Sequence, residues 1–283
     1  MIRIISDSTS DLTQELIDRY HITIVPLHIL LGDKEYRDRT EITPEDIFAW
    51  SDANNTTPKT SAPSIEDAMA AMKPLLDEGD EIIAFTISKH MSTTESVMRL
   101  AAEELGAGDK VTVIDSANLS TGIAHLVIEA AIMAGEGLTR SEITAKIEAY
   151  KPLVRASFIV DTLVYLHRGG RCSSAAALAG SVLKLHPRIV VADGVMSAAK
   201  KYRGKLDAVV DHYVRDMEEE LRTAKPDRVF ITHSGCDRAI VESVRSYLAS
   251  LGRFTEILET RAGGVISSHC GPGTLGVLFI AGR

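Results

Sequence analysis

Cysteine is scarce in this chain: three in 283 residues, Cys172, Cys236 and Cys270, far apart and without CxxC spacing. That rules out a disulfide framework and a zinc site built on paired cysteines, and the thiols read as buried or incidental. Aromatic residues make up only 5%, there is no basic run, and the net charge is −8. A duplex-wrapping partner needs a basic surface and a single-stranded one needs stacking faces, so a nucleic-acid role is excluded. No apolar run approaches the roughly 20 residues of a membrane-spanning helix. Residues 2–6 read at once as a strand, without the zones of a secretory signal, and a cytoplasmic location is expected. Catalytic signatures are missing too. There is no GxSxG, no Walker A loop, no HExxH, no paired-carboxylate signature, and no GxGxxG after the first strand.

What is present is an ordinary soluble composition, 45% apolar and 25% charged, on a chain long enough for two cores. The first half alternates strand and helix periods. Strands are expected at 2–6, 22–31, 81–88 and 110–115, each but the second leading into a helix, with Thr43-Pro44 and Ser64 as helix starts. Such alternation predicts a mostly parallel sheet covered on both faces. Beyond about residue 153 the texture changes. Strands are expected at 156–160, 189–192, 228–232, 254–259, 265–268 and 275–280, a hairpin at Asp193-Gly194 leading into 195–202, and one long helix over 205–221. The fold class is therefore α/β in two domains: residues 1–153 as a three-layer, mostly parallel domain, and 154–283 as an α+β domain with a mixed or antiparallel sheet.

Four hydroxyl-rich breaks stand out: Asp7-Ser8-Thr9-Ser10-Asp11, Thr60-Ser61-Ala62-Pro63-Ser64, Ser88 to Thr94, and Asp115-Ser116-Ala117-Asn118. Three follow expected strands, so they converge at one sheet edge, where helix starts tolerate anions. Each also has an ordinary reading. The first and second supply N-caps and a turn, and Ser92-Thr93-Thr94-Glu95 fits a capping box. His269, beside Gly271-Pro272-Gly273 at the end of an expected strand, is a candidate ligand-contacting imidazole on a rigid turn. Arg168-Gly169-Gly170-Arg171 places two guanidiniums around a hinge, suited to partner docking or anion contact, ahead of a helix capped by Ser173 or Ser174 and rich in alanine over 175–181.

Taken in order, Asp7 to Leu12, Thr60-Ser61-x-Pro63-Ser64, Ile87-Ser88 to Thr94, Val113-Ile114-Asp115-Ser116, Arg168 to Arg171, Arg203-Gly204 and His269-x-Gly271-Pro272-Gly273 resemble the DegV family of bacterial fatty-acid-binding proteins, over essentially the whole chain. The resemblance implies a non-catalytic carrier with a long acyl chain buried in the C-terminal domain. Its carboxylate is held at the domain junction and presented to a separate fatty acid kinase, with no cofactor and no metal. The implied carboxylate-binding residues are Thr60 and Ser61 of the TSxPS loop, Ser92 and Thr93 of the strand-to-helix loop, Arg203 and His269. Thr93 stands where the family has Gly and Ala62 where it has Gln. Two other readings stay open: an enzyme on small carboxylates with Ser92 as nucleophile and His269 as base, and a lipid-responsive regulator.

Overall fold

A computed structural model describes residues 1–172 and 185–282. The alanine-rich helix expected behind Arg171, with its Ser173 or Ser174 cap, lies outside the described residues.

The first half runs β1 (Ile2–Asp7), α1 (Gln14–Tyr20), β2 (Thr23–Val25), β3 (His28–Leu31), β4 (Lys34–Arg37), α2 (Pro44–Asn54), β5 (Lys59–Ser61), α3 (Ile65–Asp77), β6 (Glu81–Thr86), α4 (Thr94–Glu104), β7 (Val111–Asp115), α5 (Thr121–Gly135) and α6 (Arg140–Tyr150). It continues with β8 (Val154–Ile159), α7 (Val164–Gly169), β9 (Leu185–Ala192), β10 (Val195–Arg203), α8 (Leu206–Arg215), α9 (Glu218–Thr223), β11 (Arg228–His233), α10 (Arg238–Ser250), β12 (Glu256–Arg261), α11 (Gly264–Cys270) and β13 (Leu275–Ile280).

Strands β2-β1-β6-β7 form a parallel sheet. Successive residues of β6 point to opposite faces: Ile82 and Ala84 pack with Met72 and Met98 of α3 and α4, while Ile83 and Phe85 join the largest core. Both faces are apolar because both are covered. Strands β10-β9-β8-β13-β11-β12 form a mixed sheet in which only β11 and β12 run parallel. Helix α5 lies between the two sheets, touching β1, β6, β8 and β13, which is why it is buried nearly all round. On its far side the mixed sheet buries Val229, Ile231, Val277 and Phe279 with residues of α8 and α10 such as Tyr213, Val241 and Leu248.

Several expectations are corrected. The single strand expected over 22–31 is two strands in two sheets, because Pro26 brings no amide to a ladder and Leu27 N–H donates to Ser8 Oγ instead. Its second part, β3, pairs with β4 and β5 in a small antiparallel sheet. Thr60 and Ser61 therefore sit on a short strand rather than wholly on a loop. The long helix over 205–221 breaks at Asp216, whose carboxylate accepts from Lys200 Nζ and Tyr202 OH, both at 2.5 Å, and resumes as α9. Residues 265–268 are helical, not a strand. Their helix, α11, leaves the second half of the sequence to pack on α2, β3 and β5, as well as on α7. Gly264 makes that approach possible: a Cβ there would stand 2.5 Å from Ile29 Cδ1 and 2.9 Å from Ile47 Cδ1. The expected hairpin at Asp193-Gly194 is present, as are the caps Thr43 and Ser64.

Candidate functional site

Because β1, β6 and β7 are parallel, the segments that follow them all emerge at one edge of their sheet. Above that edge lies a cavity of about 420 Å³, inside the range of small-ligand sites. One side is built by Leu27, Thr60 to Ala62, Ile87, Lys89 to Thr93 and Leu119, the other by Arg171, Met196, Val265, Ile266, His269 and Cys270.

One polar pair bridges the two sides. Thr60 Oγ1 lies 2.8 Å from His269 Nε2, a pair separated by 209 residues in sequence. His269 Nδ1 is buried without a hydrogen-bond partner among the described residues, and Gly169 packs so closely that a Cβ there would lie 2.4 Å from it. Burial, with a smaller contribution from the Arg171 charge, lowers the His269 pKa to about 4, so the ring is neutral at pH 7. A neutral ring with an unpartnered Nδ1 is best satisfied when Nε2–H donates to Thr60 Oγ1, since a bare acceptor is the cheaper orphan. The Thr60 hydroxyl proton then points to a further acceptor. Ser92 and Thr93 stand at the start of α4, where backbone dipoles favour negative charge. The expected capping box is absent. Ser92 Oγ accepts from Thr94 N–H at 3.3 Å, but Glu95 turns away to Arg99 at 2.7 Å.

The rim carries Lys89, His90 and Arg171, a cationic edge on a chain of net charge −8. The interior is apolar, with Leu27, Ile87, Met91, Leu119, Met196, Val265 and Ile266. Through Leu119, Ile266 and Cys270 it borders a small void of about 20 Å³ that reaches Phe158 and Leu278 on the mixed sheet.

Of the residues singled out from sequence, Thr60, Ser61, Ser92, Thr93 and His269 come together on this cavity, and Arg171 joins them. Arg203 does not. It ends β10, exposed, opposite Leu185, outside the lining. Arg168 is exposed beside a separate cleft, its Nη1 3.4 Å from the Asn55 carbonyl. The Asp7 to Asp11 segment is fully covered and braces the cavity from behind: Asp7 caps a 3₁₀ turn and accepts from Ile87 N–H at 2.7 Å. Asp115 likewise accepts from Lys89 N–H at 3.2 Å, and the Asn118 carbonyl from Ser88 N–H at 2.9 Å. Burial raises the pKa of Asp7 to about 6 and of Asp11 to about 7, and it raises that of Asp38 as well. Lys89 lies within the Ser88 to Thr94 break but has no role assigned from sequence, and Met196 and Asp38 lie in no pattern that marks them; only their placement gives these three a role. No group of three or more His, Cys, Asp or Glu suited to a metal occurs among the described residues. No helix among them is long and apolar enough to cross a membrane.

Fold and cavity together define an α/β protein with a partly open amphipathic pocket at the edge of its parallel sheet. The chain belongs to the DegV family: the profile described as "uncharacterised protein, DegV family" matches residues 1–282. A DegV domain-containing protein of Deinococcus radiodurans is 32% identical over 278 residues, covering 98% of this chain and 97% of its own. Among solved structures, a DegV family protein from Thermus thermophilus described by its fatty acid binding superposes with a TM-score of 0.91 at 33% identity, covering 99% of both chains. A stearic-acid-binding protein from Eubacterium ventriosum superposes with a TM-score of 0.86 at 26% identity, covering 99% of this chain and 98% of its own.

Proposed function

We propose that this protein binds a long-chain fatty acid and presents its carboxylate, without itself catalysing a reaction, to a separate fatty acid kinase in the cytoplasm. The observation that carries the reading is the mixed lining of the cavity, which combines the half-buried Thr60–His269 pair and Ser92 with buried apolar side chains. In this reading Thr60, Ser61, Ser92, Thr93 and His269 hold the head group, and Arg203 has no part in it. Each buried methylene contributes roughly 0.8 kcal/mol, so a long tail supplies on the order of 10 kcal/mol before ordering costs. The polar groups then only orient the ligand. The enzyme reading is weaker. His269 is a neutral ring paired with Thr60, and Ser92 Oγ is engaged with Thr94. The cavity takes its walls from both sides of the boundary between residues 153 and 154, in keeping with a head group at a domain junction.

Native mass spectrometry of the purified protein tests the lipid reading, and the expected result is one fatty acid per chain. Absence of bound lipid together with no uptake of added palmitate overturns it. For the kinase step, Arg168→Ala, outside the cavity lining, is expected to reduce acyl-phosphate formation with a cognate kinase while leaving fatty-acid affinity intact, whereas Arg171→Ala, on the lining, is expected to lower both.

A further inference from the structure

We infer that Asp38 and Asp11 are positioning residues for this cavity: they fix the helix carrying His269 against the two walls it faces. The inference rests on the fatty-acid reading above.

Helix α11 contributes Val265, Ile266, His269 and Cys270 to the cavity, and its first amides are bound by side chains from the other end of the chain. Asp38 Oδ1 accepts from Gly264 N–H at 2.8 Å, and Asp11 Oδ1 accepts from Gly263 N–H at 2.7 Å. Each carboxylate has a second oxygen on a different wall. Asp38 Oδ2 accepts from Ser8 Oγ at 2.7 Å, and the same Ser8 Oγ accepts from the N–H of cavity residue Leu27 at 3.1 Å. Asp11 Oδ2 accepts from Ser120 Oγ at 2.5 Å, next to cavity residue Leu119. Ser120 has φ 53 and ψ −143, a conformation that persists only when its surroundings hold it. Two carboxylates thus bracket three walls, and the depth of His269 relative to Thr60 follows from them.

The two sites respond differently to Asn. At position 11 an amide still accepts from Gly263 and donates to Ser120 Oγ. At both positions the serine turns from donor to acceptor and its proton loses the carboxylate, but at position 38 Ser8 Oγ must take the amide proton while already accepting from Leu27 N–H, so that bracket is the more disturbed. The test is the ¹⁵N spectrum of His269 in ligand-free protein at pH 7, with palmitate affinity measured alongside. Asp38→Asn and Asp11→Ala are expected to blur the single-tautomer pattern of His269 and weaken palmitate binding at least tenfold. Asp11→Asn is expected to leave both within twofold. If Asp38→Asn does not fold, Ser8→Ala, which cuts the same bracket at Leu27, is expected to give a smaller shift in the same direction. A wild-type His269 spectrum in the folded variants overturns the inference, whether or not affinity falls. Failure of the wild-type protein to take up palmitate overturns the fatty-acid reading instead, while the ligand-free spectrum still decides the positioning.

Discussion

Replacing Thr60 with Val keeps the shape of the side chain and removes only the hydroxyl that faces His269 Nε2 at 2.8 Å. In the proposed complex, that hydroxyl donates to a carboxylate oxygen while accepting from the ring. The loss is one hydrogen bond to a charged acceptor, worth roughly 1.5–3 kcal/mol, or about tenfold to a hundredfold in affinity. The imidazole loses its partner in both free and bound protein, so that cost appears mainly in stability, at about 1–3 kcal/mol. Two assays separate the terms. Displacement of a fluorescent fatty acid by palmitate gives the affinity, and urea unfolding of the stripped protein gives the stability. Arg203→Ala is the internal control, because Arg203 lies outside the cavity; its affinity is expected to match wild type. A Thr60→Val affinity within twofold of wild type, or a larger loss in Arg203→Ala, refutes the placement of the head group.

Acidification is expected to cost this protein stability through His269, whose folded pKa of about 4 lies below its usual 6.5. That contribution is fully present above pH 6.5 and is lost as pH falls toward 4, about 3 kcal/mol at 1.36 kcal/mol per unit, and His269→Gln should flatten the urea-unfolding profile there. Asp11 runs the other way: burial raises its folded pKa from 3.8 to about 7. Its contribution is present at low pH and lost as pH rises from 4 through 7. Asp11→Asn should therefore gain on wild type over that range by on the order of 4 kcal/mol, and a flat difference curve contradicts this. At the hairpin tip Gly194 has φ +77, and a Cβ there would lie 2.6 Å from Ser88 Oγ. Gly194→Ala is expected to lower the melting temperature by several degrees, corresponding to about 1–3 kcal/mol, whereas Lys201→Ala on the exposed edge strand should not move it. Glu129 and Arg228 form a buried pair at 2.6 Å. Glu129→Gln, which leaves a buried guanidinium without its counter-charge, should cost about 3–5 kcal/mol by calorimetry or urea unfolding.

Much of the architecture was readable because it is written locally. Runs such as Ile82 to Phe85 are apolar on both faces, Asp193-Gly194 is a turn pair, and Thr43-Pro44 is a helix start. The errors arise where distant groups decide. The residues 265–268 look like a strand by propensity, yet the amides of Gly263 and Gly264 just before them are claimed by Asp11 and Asp38, 252 and 226 residues away, which starts a helix there. The break at Pro26 was missed because the residues on either side share a texture while joining different sheets. The site was legible only as an ordered set of motifs. Thr60 and His269 are individually commonplace, and nothing local pairs them. Lys89 and Met196 gain their place from the turn after β6 and from the hairpin that leans on it through Ser88 Oγ and the Gly194 carbonyl at 2.7 Å.

The excursion of α11 also bears on how this chain is made. Leu27, Ile29, Ile42 and Ile47 form a small core completed by Val265. During synthesis the first four emerge long before the fifth, so this corner stays unsealed until α11 has been made. Strand β13, which sits between β8 and β11, arrives later still. The pairing of β13 with β8 and the hold of Asp11 and Asp38 on α11 join segments distant in sequence, and such non-local contacts slow folding. A fragment ending at residue 153 would keep its parallel sheet yet lack the helix that fills its apolar corner, and is expected to be recovered aggregated rather than as a soluble half.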